Sequence, residues 1–226
     1  MNSFSRIVWQ GLALGQLAWS APAFFARLWE LSWYGGLLRE WTEGLGLPAG
    51  AKILEVGCSA GRLSGELARR GYAVVGTDRS ARAIRLAGSA ARDGSSPPRF
   101  MVADALHLPF VAPEFGATIA ASLVNVVSDP EQLLAEMMRV TAPGGIVACL
   151  CPTPAMRPDR ARRLAETRGY HGFSDAALSL WASMANKREP DTVALWMERA
   201  GLVDIRQQTY LDGMVGSSVG RRPLNG

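Results

Sequence analysis

Lysine is almost absent from this 226-residue sequence: Lys52 and Lys187 are the only two, and arginine supplies every other basic side chain. The arginines are scattered along the chain and do not form the basic stripe with interleaved aromatics that is typical of a nucleic-acid reader. The net charge is +4 and the isoelectric point is about 9.3. This composition argues against a nucleic-acid partner and leaves a mild preference for an anionic one.

Cysteine and histidine are also scarce, at three and two residues. Cys58, Cys149 and Cys151 lack the spacing of a metal-ligand set, and the two histidines lie far apart in the sequence. These absences argue against a zinc-binding or disulfide-bonded class, and they predict reduced thiols in a cytosolic core. We therefore expect no metal and a cytoplasmic location.

Repeats and interdomain linkers are missing as well. Apolar residues make up 48% of the chain and charged residues 19%, which is typical of a globular protein. The chain is long enough for one sizeable domain with a buried core. We expect residues 1–47 to form a helical cover and residues 48–226 to form the main domain, with an insertion at 152–190.

The segment Ile7–Ala26 carries no charge, follows Arg6 and contains the small-residue stretch SAPA, which together are features of a signal peptide. It also contains Gln10, Gln16 and Pro22, and it is barely long enough to span a bilayer. Several tryptophans give the region an amphipathic, aromatic character. Three interpretations stay open: a helical cover packed on the domain, an interfacial membrane helix, or a signal or anchor segment.

Strand and helix patterns alternate from residue 53 onward. Short apolar runs indicate strands that are buried on both faces of a parallel sheet, and segments of helical periodicity separate them. The expected strands are 53–56, 72–77, 99–102, 117–121, 146–151, 203–210 and 214–222, and the expected helices are 61–70, 81–92, 130–140 and 191–200. Between the third and fourth strands we expect at most one helical turn. This alternation predicts a parallel sheet with right-handed crossovers.

The first strand runs into the loop 57–61, GCSAG, and the second strand ends at Asp78. A glycine-containing loop at the start of a helix brings backbone amides close to a ligand, and an acid about 20 residues later is typical of ribose binding. The loop lacks the middle glycine of the dinucleotide pattern, and Arg62 occupies the position of the last one. The pattern therefore favours a ligand without phosphates, and a nicotinamide dehydrogenase is a remote alternative.

Four short motifs follow one another in this part of the chain. They are EVGCSAG at 55–61, VVGTDRS ending the second strand, VADALHLPF after the third, and the fourth-strand region 115–145. In this order they resemble the class I S-adenosylmethionine-dependent methyltransferases, except that Ser59 replaces the central glycine of the first motif. The resemblance covers roughly residues 53–151. It implies a Rossmann-like class I methyltransferase fold, a mostly parallel seven-stranded sheet with helices on both faces.

The resemblance implies S-adenosyl-L-methionine as the methyl donor and S-adenosyl-L-homocysteine as the product. It implies that Asp78 accepts hydrogen bonds from both ribose hydroxyls, and that Asp104 and Ala105 contact the adenine. Asp78 could instead cap the helix 81–92, although Ser80 would do so better. The complete set of implied donor-binding residues is Glu55, Gly57, Cys58, Ser59, Gly61, Asp78, Arg79, Asp104, Ala105, Ala121 and Ser122.

Methyl transfer from a sulfonium is an in-line displacement that depends mainly on orienting the two reactants. A base is needed only when the acceptor must first lose a proton. The sequence therefore identifies no obligatory catalytic residue, and His107, His171 and Tyr34 are the weak candidates.

The resemblance implies that the N-terminal helices and the insertion select the acceptor. Both segments are rich in aromatics, and the insertion carries Arg157, Arg160, Arg162, Arg163 and Arg168. We therefore expect a small organic acceptor that is anionic or aromatic. The alternatives are a membrane-surface methyltransferase that acts on a lipid headgroup or a quinone, with peripheral membrane contact through the N-terminus, and a non-catalytic module that binds S-adenosylmethionine. The sequence does not predict the oligomeric state.

Overall fold

The computed structural model describes residues 3–90, 97–111 and 113–225. Three helices precede the first strand: α1 (Ser3–Trp19), α2 (Ala21–Trp29) and α3 (Ser32–Gly44). The next elements are β1 (Lys52–Val56), α4 (Arg62–Arg69), β2 (Ala73–Asp78), α5 (Ala81–Ala90), β3 (Arg99–Val102), β4 (Phe115–Ala121) and α6 (Pro130–Val140). The chain continues with β5 (Thr141–Pro152), α7 (Pro158–Arg168), α8 (Phe173–Met184), α9 (Pro190–Arg199), β6 (Val203–Tyr210) and β7 (Val215–Arg221).

The seven strands form one sheet in the order β3-β2-β1-β4-β5-β7-β6. All neighbouring pairs are parallel except those of β7, which runs antiparallel to both β5 and β6. Successive residues of a strand point to opposite faces. Ile53 therefore packs in the core on the side of α1–α3, and Leu54 packs in the core on the side of α6 and α9. The predicted fold, a mostly parallel sheet with helices on both faces, is confirmed.

Strand β5 starts earlier than the sequence predicts, whereas the described residues between β3 and β4 agree with the expectation of at most one helical turn. Strand β5 begins at Thr141 rather than near residue 146, because Thr141 already pairs with Phe115 on β4 before a register shift. The described residues between β3 and β4 form no helix, and Asp104 and His107 make an isolated bridge there. Residues 91 and 92 of the predicted second helix lie outside the described residues.

The N-terminal helices pack on the sheet and on the insertion. Trp41 of α3 is fully buried, and its Nε1 donates a hydrogen bond of 2.9 Å to the Ser217 hydroxyl on β7. Ala13 of α1 is also fully buried and belongs to the same core as Trp41 and Ala177 of α8. Among the described residues, no helix combines the length and apolar character that crossing a bilayer requires.

Candidate active site

Two adjoining cavities open at the carboxyl ends of β1, β2 and β4, where ligands bind in open α/β sheets. The first, of about 390 Å³, lies between the loop after β1 and helices α2 and α3. The second, of about 340 Å³, lies between the ends of β2 and β3 and the segment after β4. Residues that line both cavities are Gly57, Asp78, Arg79, Leu123 and Val126. The two cavities therefore meet at Asp78.

The loop after β1 is held against β2 by its backbone. The amides of Gly57 and Cys58 both donate to the Thr77 carbonyl at 2.8 Å. Gly57 has a φ of 78°, and a side chain there would come within 3.1 Å of Leu123, so glycine suits both the conformation and the space. Ser59 has a φ of 48°, in the left-handed region that a non-glycine residue occupies at a cost. The serine that replaces the family's central glycine is thus strained.

Asp78 links this loop to the start of α5. Its Oδ2 accepts a hydrogen bond from the Ser59 amide at 3.0 Å, and its Oδ1 accepts one from the Ser80 amide at 2.8 Å. Ser80 itself caps α5, since its hydroxyl accepts from the Ala83 amide at 3.2 Å. A carboxylate can accept about four hydrogen bonds. Asp78 therefore keeps acceptor capacity on both oxygens at the point where the cavities meet.

Glu55 is a buried carboxyl group at the base of the first cavity. Burial, with a smaller contribution from the neighbouring negative charge of Asp78, raises its pKa to about 7, although hydrogen bonds from Ser64 oppose the shift. The Ser64 hydroxyl donates to Glu55 Oε2. A cation placed in the cavity would favour the charged form of Glu55.

Asp104 and Ala105 line the second cavity. Asp104 Oδ1 accepts a hydrogen bond from the Leu106 amide at 3.0 Å, and its Oδ2 lies 3.1 Å from His107 Nδ1. These two contacts lower the pKa of Asp104, so the group carries a negative charge at neutral pH. His107 therefore orients Asp104 and does not face either cavity.

An apolar wall closes the first cavity opposite the loop. It consists of side chains from α2 and α3, namely Pro22, Phe25, Ala26, Trp29, Tyr34 and Leu38. Tyr34 packs edge-on against Trp33 and Trp181, with ring centroids 5.6 and 5.8 Å apart, and Trp33 stacks on Trp181 at 5.8 Å. Burial and the Glu55 charge raise the pKa of Tyr34. Its phenol is therefore neutral and serves as a wall rather than as a ready base.

The structure brings ten of the eleven residues implied for donor binding into the cavity walls. The exception is Gly61, which has a φ of 69° and lines neither cavity. A Cβ at this position would lie 2.5 Å from Phe100 Cζ and 2.8 Å from the Ala87 Cβ. The last glycine of the motif therefore allows α4 to pack closely against β3 and α5.

The arginines of the insertion, which motivated the expectation of an anionic acceptor, do not line the two cavities. All five of its arginines are solvent-exposed and none lines either cavity. Arg157 and Arg163 pair with Asp159 of the same segment, at 3.1 and 2.7 Å. The insertion contacts the apolar wall indirectly, because Trp181 of α8 packs edge-on against Tyr34. His171 also lines neither cavity.

Sequence reasoning expected the N-terminal helices at the acceptor but did not name Pro22, Phe25 or Ala26, and it missed Leu123 and Val126 after β4. Their only signal was apolar character, which core residues share. Among the described residues, no cluster of three or more histidine, cysteine, aspartate or glutamate side chains could hold a metal ion.

Comparisons with known proteins agree with this architecture. A family model described as a methyltransferase domain matches residues 54–149. A demethylmenaquinone methyltransferase from Clavibacter sepedonicus is 28% identical over 191 residues, which cover 77% of this chain and 75% of the relative. A 2-phytyl-1,4-naphtoquinone methyltransferase from Thermosynechococcus vestitus is 31% identical over 195 residues, which cover 81% of this chain and 84% of the relative.

A solved structure shows the same fold. The crystal structure of an S-adenosylmethionine-dependent methyltransferase from Methanosarcina mazei aligns with a TM-score of 0.60 and 21% identity, covering 82% of this chain and 98% of its own. The strand order, the loop after β1 and the acid that ends β2 define a Rossmann-like methyltransferase. This chain belongs to the class I S-adenosylmethionine-dependent methyltransferases and is an enzyme of that family.

Proposed function

We propose that this methyltransferase transfers the methyl group in line to a small organic acceptor with a flat, apolar ring. The observation that carries the proposal is the composition of the first cavity. One side presents Glu55, Asp78 and the loop after β1, and the other presents the apolar wall of α2 and α3. A polar donor and an apolar acceptor would thus face each other within one space.

The described residues fit S-adenosylmethionine as donor. Asp78 would accept the two ribose hydroxyls with the lone pairs that Ser59 and Ser80 leave free. The buried Glu55 would face the positively charged methionine part, and the absence of a Cβ at Gly57 would let the ligand approach the backbone. Asp104 and Ala105 would hold the adenine in the second cavity. The donor would supply an activated methyl group on a sulfonium.

The acceptor side favours an aromatic molecule over an anionic one. Phe25, Trp29 and Tyr34 offer ring faces and edges, and such pairs of aromatic groups are favourable. The arginines of α7 lie outside both cavities and give no support to an anionic acceptor. The names of the two relatives described above contain demethylmenaquinone and 2-phytyl-1,4-naphtoquinone, which supports an acceptor of the quinone or quinol class.

The chain contributes mainly orientation to the transfer. Of the three residues predicted as weak base candidates, only Tyr34 lines a cavity, and its raised pKa keeps it protonated. None of these three residues would therefore act as a base, and the acceptor proton would leave to solvent. Alignment of two reactants can supply an effective molarity of about 10⁵ M or more.

A substrate panel with a radiolabelled methyl donor tests this proposal. We expect turnover of a short-chain naphthoquinol or a related phenol, and little turnover of aliphatic carboxylates or amines. Phe25→Ala should raise the acceptor KM about tenfold while the affinity for S-adenosylhomocysteine changes by less than twofold. Val111→Ala, at an exposed loop position, is the matched control. Preferential methylation of charged aliphatic acceptors would contradict the proposal.

A further inference from the structure

Helix α1 presents an apolar stripe to solvent. Val8, Leu12 and Trp19 are 45, 56 and 82% exposed, and with Gly15 they recur at the spacing of one helical face. On another side of the helix Ala13 is buried in the core and Trp9 packs partly against it, while Leu14, outside the stripe, is 46% exposed. An exposed tryptophan and leucine on one stripe are more than the scattered apolar residues of an ordinary surface.

Arg82 of α5 contacts the end of α1, and Arg79 and Arg85 lie three positions before and after it in the sequence. Arg82 Nη1 donates a hydrogen bond of 3.2 Å to the backbone carbonyl of Trp19, which fixes the start of α5 beside the end of α1. Arg79, Arg82 and Arg85 are all exposed, and none forms a salt bridge with a described residue. Neither segment 3–29 nor segment 79–90 contains an aspartate or a glutamate. This face, formed by Val8, Leu12, Trp19, Arg79, Arg82 and Arg85, is called the α1–α5 face below.

We propose that the α1–α5 face docks on the surface of an anionic lipid bilayer. Leucine and tryptophan at the level of the headgroups, flanked by arginines that reach lipid phosphates, are the features of an interfacial helix. A second copy of the chain fits less well, because a symmetric contact through this face would bring the three arginines of each copy together. The charge of the face thus favours lipid over self-association.

Docking in this orientation places the methyl-transfer cavity beside the bilayer. Pro22 and Phe25 of α2 line the first cavity, and so do Arg79 and Ser80 at the start of α5. An apolar acceptor dissolved in the bilayer could therefore enter between α2 and α5 without crossing water. Delivery of the acceptor rests on the proposed function, whereas docking itself does not.

Vesicle flotation of the full chain without donor or acceptor tests the docking. We expect flotation with vesicles of one part phosphatidylglycerol to two parts phosphatidylcholine, and at least tenfold weaker partitioning with phosphatidylcholine alone. Arg82→Gln/Arg85→Gln should weaken partitioning on anionic vesicles by at least tenfold, because each arginine near such a surface contributes about fivefold. Leu12→Ser/Trp19→Ser should have a similar effect, and raising the salt concentration should mimic only the arginine variant.

Matched controls make the same kinds of substitution on other surfaces of the protein. Arg160→Gln/Arg162→Gln removes two exposed arginines from α7, and Met184→Ser/Leu195→Ser removes two apolar side chains that are 57 and 44% exposed. Both controls should float like the unchanged protein. The proposal is overturned if the unchanged protein stays unbound to anionic vesicles, or if the controls weaken binding as much as the α1–α5 variants.

Sedimentation velocity tests whether a second copy of the chain covers the α1–α5 face instead of lipid. If Leu12→Ser/Trp19→Ser converts a dimer into a monomer and the unchanged protein ignores vesicles, a second copy covers this face and the lipid proposal is wrong. Methyl transfer to a water-soluble aromatic acceptor, measured without vesicles, reports on the proposed function alone. A docking failure and a failure of the proposed function are thus separate results.

Discussion

The Asp78 carboxylate accepts a hydrogen bond of 3.0 Å from the Ser59 amide, so the acid that ends β2 holds the loop that follows β1. The same carboxylate lies where the two cavities meet. Asp78 is therefore part of the scaffold of the site as well as of its wall. A substitution there changes loop position and ligand contacts together.

Asp78→Asn should weaken the binding of S-adenosylhomocysteine by about ten- to a hundredfold. The amide nitrogen cannot accept a hydrogen bond, and a hydrogen bond to a charged group contributes about 1.5–3 kcal/mol. Isothermal titration calorimetry measures the change. The control is Asp212→Asn, which makes the same change at an exposed position that lines neither cavity. Unaltered affinity of Asp78→Asn would remove the assignment of this residue to the donor site.

Glu55→Gln should stabilise the free protein at neutral and alkaline pH. The pKa of Glu55 is raised from 4.5 to about 7 in the folded state by burial. A raised folded-state pKa means that the contribution of this carboxyl to stability is complete below pH 4.5 and is lost as the pH rises towards 7 and above. The variant should therefore gain about 3 kcal/mol relative to the unchanged protein between pH 4.5 and 8.

Urea unfolding at several pH values measures this difference. Glu198→Gln, at an exposed position on α9, should show no such trend. A difference between Glu55→Gln and the unchanged protein that stays constant with pH would show that Glu55 is ionised in the folded state at low pH. That result would contradict the raised pKa of Glu55 in the folded protein.

Gly61→Ala should destabilise the fold by about 2–4 kcal/mol and weaken donor binding indirectly. The new methyl group would collide with Phe100 and Ala87, and the φ of 69° disfavours any residue with a Cβ. Adding Phe100→Leu should restore part of the stability, since it vacates the space. Gly65→Ala in the adjacent helix α4 is the control, because only the Arg69 guanidinium lies near that position, at 4.0 Å, and it should stabilise by about 0.5–1 kcal/mol. Denaturant unfolding curves compare the three proteins.

Ser59→Gly should raise the free energy of unfolding by about 0.5–1 kcal/mol. Glycine adopts the φ of 48° without the cost that serine incurs, although it also makes the unfolded chain more flexible. The Ser59 amide would keep its bond to Asp78. For a chain of this size the change corresponds to a rise in Tm of a few degrees, which calorimetry would detect. Ser183→Gly in helix α8 should lower the Tm instead, and a lower Tm for Ser59→Gly would contradict the assignment of strain.

Much of the fold could be predicted because its signals are local. Apolar runs such as 53–56 and helical patterns such as 130–140 depend only on neighbouring residues, and their alternation restricts the topology to a parallel sheet. The donor-side residues could be named because the motifs fix the spacing of Gly57, Asp78 and Asp104 relative to strand ends. Strand ends on one edge of a sheet lie close together in any such fold.

The wall proposed to hold the acceptor depends on contacts between distant segments. Trp33 stacks on Trp181, which is 148 positions away along the chain, and no local pattern signals that pairing. The exposure of the α7 arginines likewise follows from how that helix packs on the rest of the chain. The sequence shows that these arginines lie in the insertion, but it does not show which side of helix α7 faces solvent.

The sequence by itself determined the strand and helix alternation, the glycine loop and the acid twenty residues later, because each of these follows from side-chain periodicity or from backbone conformations that only certain residues adopt. Tertiary structure alone decided that Gly61 meets Phe100, that α2 and α3 wall the cavity, and that α1 exposes Leu12 and Trp19. Those outcomes depend on which surfaces pack together, and packing is a property of the whole chain rather than of any one segment.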